Sequence, residues 1–289
     1  MAIFQNDGIE IAYDVTGAGP AVLLLHGFPQ TRAMWARIAD DLARDFTVVT
    51  ADLRGYGASS KPEALADLTN YAFRAMAGDM AALMTSLGFE AFHLVGHDRG
   101  ARVAHRLSLD APERVLSLVV MDIVPTHTLL ANWSAEVSCA YFHWSFLAQP
   151  APFPERMIEA DPDHFFEACL LGWGGASLEV FEALDKYRAA WRDQATIAAM
   201  TNDYRAALAV DVYHDAADVG RKFKGPALVL YGTTGAMAKL FDVPQTWAPW
   251  LEDMTAEAIP GGHFFPDQSP EATLAAIRGF LVNVQATIS

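Results

Sequence analysis

The feature that most restricts the fold of this chain is a short turn around Asp98. Residues 92–95 form an apolar, β-rich run, the sequence Gly-His-Asp-Arg-Gly follows at 96–100, and a helical pattern occupies residues 101–109. A strand that turns this tightly into a helix brings backbone atoms together, so glycines are needed and the middle side chain stands exposed on strained backbone. The turn predicts a strand, a nucleophile elbow and a helix, with a carboxylate at the tip.

Apolar β-rich runs and amphipathic segments alternate along the rest of the chain. The predicted strands are residues 21–25, 46–51, 92–95, 115–121, 226–232 and 254–259, and the predicted helices are residues 32–43, 71–87, 101–109 and 270–284. Continuously apolar strands separated by helical segments are typical of a parallel sheet buried on both faces. The sequence therefore predicts an α/β fold with a mostly parallel sheet and helices on both faces.

One long segment interrupts this alternation. From residue 126 to residue 215 the sequence is rich in Trp, Phe and Met at helical spacing and has no convincing β-run. We interpret residues 126–215 as a helical cap inserted into a core domain formed by residues 1–125 and 216–289. The chain of 289 residues is long enough for such a core and its insertion.

Composition excludes several classes of partner. The formal net charge of -15 disfavours nucleic acid and anionic membrane surfaces, because the long-range field would repel both. The start MAIFQNDGIE has neither the basic residues nor the apolar run of a signal peptide, and no later run reaches the ~18 apolar residues of a membrane span. Cys139 and Cys169 lack metal-ligand spacing, so we expect two buried free thiols and a cytoplasmic location.

An aspartate at the tip of the elbow indicates a particular class of reaction. A carboxylate attacks a saturated carbon or an epoxide and forms an alkyl ester with the protein, whereas a serine would transfer an acyl group. The competing interpretation is that Asp98 only caps the following helix, since aspartate is a favoured N-cap residue.

Three short motifs resemble the haloalkane dehalogenase and epoxide hydrolase branch of the α/β-hydrolases, and the resemblance covers essentially the whole chain. The motifs are His26-Gly27-Phe28-Pro29, the turn Asp52-Leu53-Arg54-Gly55-Tyr56-Gly57, and the elbow at 96–100. The resemblance implies a triad in the order nucleophile, acid and histidine. It also implies an oxyanion hole formed by the backbone N–H groups of Phe28 and Arg99.

The histidine of this triad is expected in a loop after the last strand, where His263 follows two glycines. The usual place for the acid, after the strand at 227–231, holds Gly-Thr-Thr-Gly-Ala and no carboxylate. Asp122, directly after the strand at 115–121, is therefore the predicted acid, as in related dehalogenases, and Asp242 is the alternative. In these roles Asp122 orients His263, which takes a proton from the water that cleaves the ester.

Arginines distinguish this chain from most of that branch. Related enzymes usually carry Trp after the nucleophile, but this chain has Arg99, and Arg102 lies three residues later on nearly the same helix face. Two guanidinium groups suit a carboxylate, so we expect a small anionic substrate. The pattern Asp98-Arg99-x-x-Arg102 resembles fluoroacetate dehalogenases, in which both arginines hold the substrate carboxylate. The alternative for Arg102 is a solvent-facing side chain or a surface ion pair.

The same resemblance extends into the cap. His143 and Trp144 are similar to the halide-binding pair of fluoroacetate dehalogenases, and Tyr204 is similar to the third donor of that site. Aromatic residues in a helical cap can instead serve packing alone.

These resemblances imply a hydrolytic dehalogenase that converts a haloacetate, fluoroacetate above all, to glycolate and halide through an aspartyl ester. They imply no metal and no organic cofactor, and they favour a homodimer. Two alternatives stay open. One is an epoxide hydrolase, in which Tyr204 and Tyr141 would donate to the epoxide oxygen, and the other is a non-catalytic ligand receptor on the same fold.

Overall fold

The computed structural model describes residues 1–288 and contains one eight-stranded sheet. The strands are β1 (Ala2–Asn6), β2 (Ile9–Thr16), β3 (Ala21–Leu25), β4 (Thr47–Ala51), β5 (Phe92–His97), β6 (Val115–Met121), β7 (Phe223–Gly232) and β8 (Leu251–Ile259). Their order is β1-β2-β4-β3-β5-β6-β7-β8. Neighbours from β4 to β8 run parallel, whereas β2 pairs antiparallel with β1 and β4. The predicted α/β fold with a mostly parallel sheet is confirmed.

The central strands are apolar because both of their faces are covered. Every residue of β3 and β5 is buried. Strand β5 continues two residues beyond its predicted end, since Gly96 and His97 still pair with β6. The hairpin of β1 and β2 was not predicted, because polar residues such as Gln5, Glu10 and Asp14 interrupt its sequence and no continuous apolar run marks it.

Helices cover the sheet and fill the segment between β6 and β7. They are α1 (Ala36–Leu42), α2 (Phe73–Ser86), α3 (Arg99–Asp110), α4 (Thr126–Ala131), α5 (Ala135–Ala140), α6 (Phe142–Leu147), α7 (Phe153–Glu159), α8 (Pro162–Gly172), α9 (Leu184–Trp191), α10 (Gln194–Ala206), α11 (Val212–Ala217), α12 (Ala236–Leu240), α13 (Val243–Trp247), α14 (Phe265–Gln268) and α15 (Pro270–Ile288). Residues 32–43 form a 3₁₀ turn (Arg32–Trp35) before α1 rather than one helix, because the Thr31 hydroxyl accepts from the Ala33 N–H and tightens the first turn.

The segment predicted as a cap is helical from α4 to α11, with a π-helical stretch at Ala207–Asp211 between α10 and α11. The last of these helices ends at Ala217, two residues beyond the predicted limit of 215. The division into a core and a cap domain stays a prediction. This helical segment leaves the sheet at the carboxyl end of β6, and Tyr204 on α10 contacts Phe28 in the loop after β3, so this part of the segment lies against the carboxyl ends of the strands.

The two cysteines differ in environment. Cys169 is buried, as expected, but Cys139 is exposed, so the prediction of two buried thiols is wrong for Cys139. The short helix α5 buries only Val137, which leaves the cysteine two residues later on its solvent side. Across residues 1–288, every helix is too short or too polar to cross a bilayer.

Candidate active site

Asp98 stands at the tip of the elbow on strained backbone. Its φ is 49° and its ψ is -115°, and it occupies the N-cap position of α3. A Cβ on Gly96 would lie 2.5 Å from the Gly100 carbonyl oxygen, and one on Gly100 would lie 2.4 Å from the His26 carbonyl oxygen. The turn therefore requires both glycines. The Asp98 carboxylate makes no cap hydrogen bond to α3, so helix capping does not explain this residue.

The carboxylate instead faces the loop that follows β3. The Phe28 N–H donates to Asp98 Oδ1 over 2.8 Å. Helix α3 begins at Arg99, so the Arg99 N–H belongs to the first turn, where helical hydrogen bonds do not occupy the amides. The Phe28 N–H is thus the backbone donor that reaches the carboxylate, and the free Arg99 N–H belongs to the adjacent residue.

His263 and Asp122 meet beside this carboxylate. His263 Nδ1 lies 2.7 Å from Asp122 Oδ2, so Nδ1 carries the proton that it donates. The Gly232 N–H donates to Asp122 Oδ1 over 2.8 Å and fixes the other oxygen of this acid. His263 Nε2 faces Asp98 Oδ2 at 3.7 Å. Asp242, the alternative acid, caps α13 by accepting from the Gln245 N–H and does not approach His263.

The ionisation of these groups follows from their mutual charges. Burial alone would raise the pKa of Asp98, but the imidazoles of His263 and His97 and the guanidinium groups nearby lower it to about 2. Burial alone would lower the pKa of His263, but the hydrogen bond and charge of Asp122, followed by the charge of Asp98, raise it above 6.5. Asp98 is therefore an anion at every working pH, and His263 is the group that titrates.

The loop that carries His263 is held from two sides. The His263 N–H donates to the Trp173 carbonyl over 2.7 Å, and the His263 carbonyl accepts from His97 Nε2 over 2.8 Å. Burial lowers the pKa of His97 to about 4, so this neighbour of Asp98 is neutral. Neither contact was predicted. His97 is the middle residue of the Gly-x-Asp turn and Trp173 lies between two glycines, and nothing at either position in the sequence indicates a contact with His263.

Arg99 and Arg102 both lie inside the protein. Their side chains are 0% and 3% exposed, and their guanidinium carbons lie 5.3 and 4.8 Å from the ring centre of Trp144. Both guanidinium groups therefore lie beside the same indole ring. The alternative of a solvent-facing Arg102 is wrong, because its Nη1 donates to the Val124 carbonyl and the Thr126 hydroxyl, each at 3.0 Å.

The two arginines differ in their partners. Asp203 accepts from Arg99 Nε over 2.9 Å and also from Arg99 Nη2. Burial alone would lower the pKa of Arg99, but the Asp203 carboxylate raises it. For Arg102, burial and then the charge of Arg99 lower the pKa to about 10. The role of Asp203 was not predicted, because this residue is 104 residues from Arg99 in sequence. The one feature that could have indicated it is an acidic side chain next to Tyr204 in a helix whose other buried residues are mostly apolar.

The three aromatic residues predicted to bind halide lie together over the elbow. The ring centre of Tyr204 lies 5.4 Å from those of both His143 and Trp144, and 5.2 Å from that of Phe28. Among residues 1–288 the Tyr204 hydroxyl and His143 Nδ1 are buried without a hydrogen-bond partner. Packing alone does not account for buried polar atoms left unpaired, because each such atom costs stability.

Burial also sets the protonation of this cluster. It raises the pKa of Tyr204, and the charge of Asp98 adds to the rise. It lowers the pKa of His143 well below 6.5. Both residues are therefore neutral, and the Tyr204 hydroxyl stays a hydrogen-bond donor.

Known proteins resemble this chain over most of its length. The alpha/beta hydrolase fold family matches residues 20–270. A fluoroacetate dehalogenase from Burkholderia sp is 52% identical over 276 residues, which span 95% of this chain and 91% of that protein, and the predicted resemblance is confirmed. A soluble epoxide hydrolase from Corynebacterium sp. (strain C12) is 36% identical, but over 41% of this chain and 40% of its own length.

The crystal structure of ALR0039 from Nostoc sp PCC 7120 superposes with a TM-score of 0.95 at 44% identity and covers 97% of each chain. Sequence and structure agree on the fold, and the chain belongs to the alpha/beta hydrolase fold family.

Proposed function

We propose that this protein is a hydrolytic dehalogenase that converts a haloacetate, fluoroacetate first, to glycolate and halide. The observation that carries the proposal is a buried site in which a carboxylate nucleophile adjoins two buried arginines and a buried hydroxyl with no hydrogen-bond partner among the described residues. The 52% identity to a fluoroacetate dehalogenase supports the same reaction.

In the first step Asp98 displaces the halide. Oδ2 is the attacking oxygen, because Oδ1 is held by the Phe28 N–H. Its electron pair forms a bond to the α-carbon while the carbon–halogen bond breaks and its electrons leave with the halide. Arg99 and Arg102 hold the substrate carboxylate and align the breaking bond, an effect whose upper range is ~7–11 kcal/mol.

The leaving halide develops negative charge and needs donors. Tyr204 offers a hydroxyl, Trp144 an indole N–H and His143 a ring N–H, and the first of these has no other partner within residues 1–288. Hydrogen bonds that strengthen as the charge develops lower the barrier rather than merely binding the substrate.

In the second step water cleaves the ester. His263 Nε2 takes a proton from a water that attacks the Asp98 carboxyl carbon, and Asp122 stabilises the imidazolium that forms. The Phe28 and Arg99 N–H groups receive the charge on Oδ1. The bond between the carboxyl carbon and Oδ2 then breaks, and glycolate leaves with Oδ2 and the proton from His263.

Free fluoride measured with an electrode after addition of fluoroacetate tests the reaction, with chloroacetate as a second substrate. The Asp98→Asn variant is the control and should release none. No halide from either substrate with the wild-type protein would refute the proposal. Diol formation from styrene oxide without halide release would instead favour the epoxide hydrolase, with Tyr204 and Tyr141 as donors. Ligand binding without either product would favour a receptor.

A single turnover in H₂¹⁸O tests the covalent step. We expect ¹⁸O in the Asp98 carboxylate and unlabelled glycolate, because water attacks the carbon of the enzyme ester. Label in glycolate and none in Asp98 would refute the ester.

We also infer a cytoplasmic location and a homodimer. The free thiols Cys139 and Cys169 support a reducing compartment. The exposed apolar residues Phe153 and Met157 on α7, which are 55% and 57% exposed, support a protein contact there. Sedimentation equilibrium decides the oligomeric state, and a monomer at micromolar concentration would refute the dimer.

A further inference from the structure

The guanidinium fork of Arg99 is already occupied. Asp203 accepts from Nε and Nη2 through both carboxylate oxygens, and the Asp203 carbonyl also accepts from Nη2 over 3.0 Å. Both residues are completely buried. Of the three guanidinium nitrogens, Nη1 is the one without a hydrogen-bond partner in the described part of the chain.

Asp203 is itself held in place. The Tyr56 hydroxyl donates to Asp203 Oδ2 over 2.7 Å from the loop after β4. The Arg99 guanidinium also lies 4.2 Å from the ring centre of Tyr204 and 4.6 Å from that of Phe73. Hydrogen bonds and ring contacts from three elements therefore fix the direction of Nη1.

Arg102 differs from Arg99 in the charge of its hydrogen-bond partners. Its hydrogen-bond partners are the neutral Val124 carbonyl and Thr126 hydroxyl, and its Nε has no partner within residues 1–288. Arg99 and Asp203 cancel each other's charge, whereas no carboxylate forms a salt bridge with Arg102 among the described residues. A bound carboxylate would thus find its net counter-ion at Arg102 and one directed donor at Arg99.

We propose that Asp203, held by Tyr56, is a positioning residue: it aims the free Nη1 amino group of Arg99 at the substrate carboxylate and leaves Arg102 as the counter-ion. The inference rests on the proposed dehalogenase function. A second uncompensated cation would bind substrate, transition state and product alike, which does not speed the chemical step. A directed donor instead holds the carbon–halogen bond in line with Asp98.

The test is the Asp203→Asn variant, assayed for kcat with fluoroacetate and for the inhibition constant of acetate, which has the carboxylate but no leaving group. We expect kcat to fall ~10–100-fold because Arg99 loses its alignment. The acetate inhibition constant should fall or stay unchanged, because the site gains one uncompensated positive charge. A merely structural defect would weaken catalysis and acetate binding together.

A matched control exists in the core. Arg54 donates to both oxygens of Asp79 at 2.8 and 2.7 Å, and this pair is also buried. Asp79→Asn should lower the melting temperature, as Asp203→Asn should, because each leaves a buried arginine without its carboxylate. It should leave kcat and the acetate inhibition constant unchanged. Tyr56→Phe removes one hydrogen bond to Asp203 and should lower kcat several-fold without weakening acetate binding.

If the wild-type enzyme releases fluoride, three results would overturn the inference. They are an unchanged kcat in Asp203→Asn, a rise of the acetate inhibition constant in step with the fall in kcat, and an equal fall in kcat in Asp79→Asn. If Asp203→Asn does not fold, an unchanged kcat in Tyr56→Phe overturns it. A wild-type protein that releases no halide refutes the proposed function and the inference together.

Discussion

Asp98 and Asp122 both have a positive φ, which residues other than glycine seldom adopt. Their φ values are 49° and 51°, and each follows the end of a central parallel strand. Left-handed backbone at a residue other than glycine costs about 1–3 kcal/mol, and such residues collect at functional sites. The strain places one carboxylate at the tip of the elbow and the other beside His263, so these two residues lower the stability of the fold in return for a fixed position.

His263→Asn tests the division of the reaction into two steps. Asparagine cannot accept the proton of the attacking water, but displacement by Asp98 needs no base. We expect one fluoride per active site in a rapid burst, an Asp98 ester detected by mass spectrometry, and steady turnover reduced by about 10²–10⁴-fold. Continued turnover at the wild-type rate would contradict the role of His263 as base.

The pH dependence should separate the same two steps. Asp98, whose pKa is about 2, stays ionised, so the fluoride burst should persist down to about pH 5. His263 accepts a proton only when neutral, so steady turnover should fall as pH drops through the pKa that His263 has in the ester intermediate, which the hydrogen bond and charge of Asp122 still raise. Esterification removes the charge of Asp98, which lowers this pKa again in the intermediate. A burst that declines in parallel with steady turnover would contradict this order of steps.

At the scale of the elements, the elbow between β5 and α3 depends on Gly96. An added Cβ would lie 2.5 Å from one backbone atom and 2.6 Å from another, so Gly96→Ala should lower the free energy of unfolding by about 1–3 kcal/mol or more. Gly78, within α2, has no atom within 4 Å of such a Cβ, so Gly78→Ala should raise stability by about 0.5–1 kcal/mol. Denaturant unfolding measures both, and equal effects would contradict the packing argument.

The elements also show what the sequence can reveal. Buried strands such as Ala21–Leu25 and Val115–Met121 were predicted to the residue, because burial on both faces leaves a continuous apolar run. Asp98, Asp122 and His263, which lie together in the structure, could be predicted as a group because each lies next to a strand or a glycine pair. Asp203 and Trp173 were not, because their partners are distant in sequence and only tertiary packing brings them together.

At the scale of the whole molecule, a buried amide joins three separate segments near the site. Gln30 follows the Phe28 loop, and its side-chain nitrogen donates to the Tyr187 hydroxyl on α9 over 3.1 Å and to Asp267 on α14 over 2.9 Å. The loop that carries the Phe28 N–H, the helical segment above it and the turn after His263 therefore meet at one side chain. A change at this junction acts on the stability of the whole fold.

Asp267 makes that junction sensitive to pH. Burial raises its pKa to about 7, and the charge of Glu182 adds to the rise against the hydrogen bond from Gln30. The folded protein then keeps a proton that the unfolded chain loses near pH ~4, so stability falls as pH rises from there to about 7. Asp267→Asn stays neutral, and its melting temperature relative to wild type should be higher at pH 8 than at pH 5. Glu252→Gln, an exposed control on β8, should show no such difference. If the difference in melting temperature between Asp267→Asn and wild type is the same at pH 5 and pH 8, the carboxyl group does not take up a proton on folding.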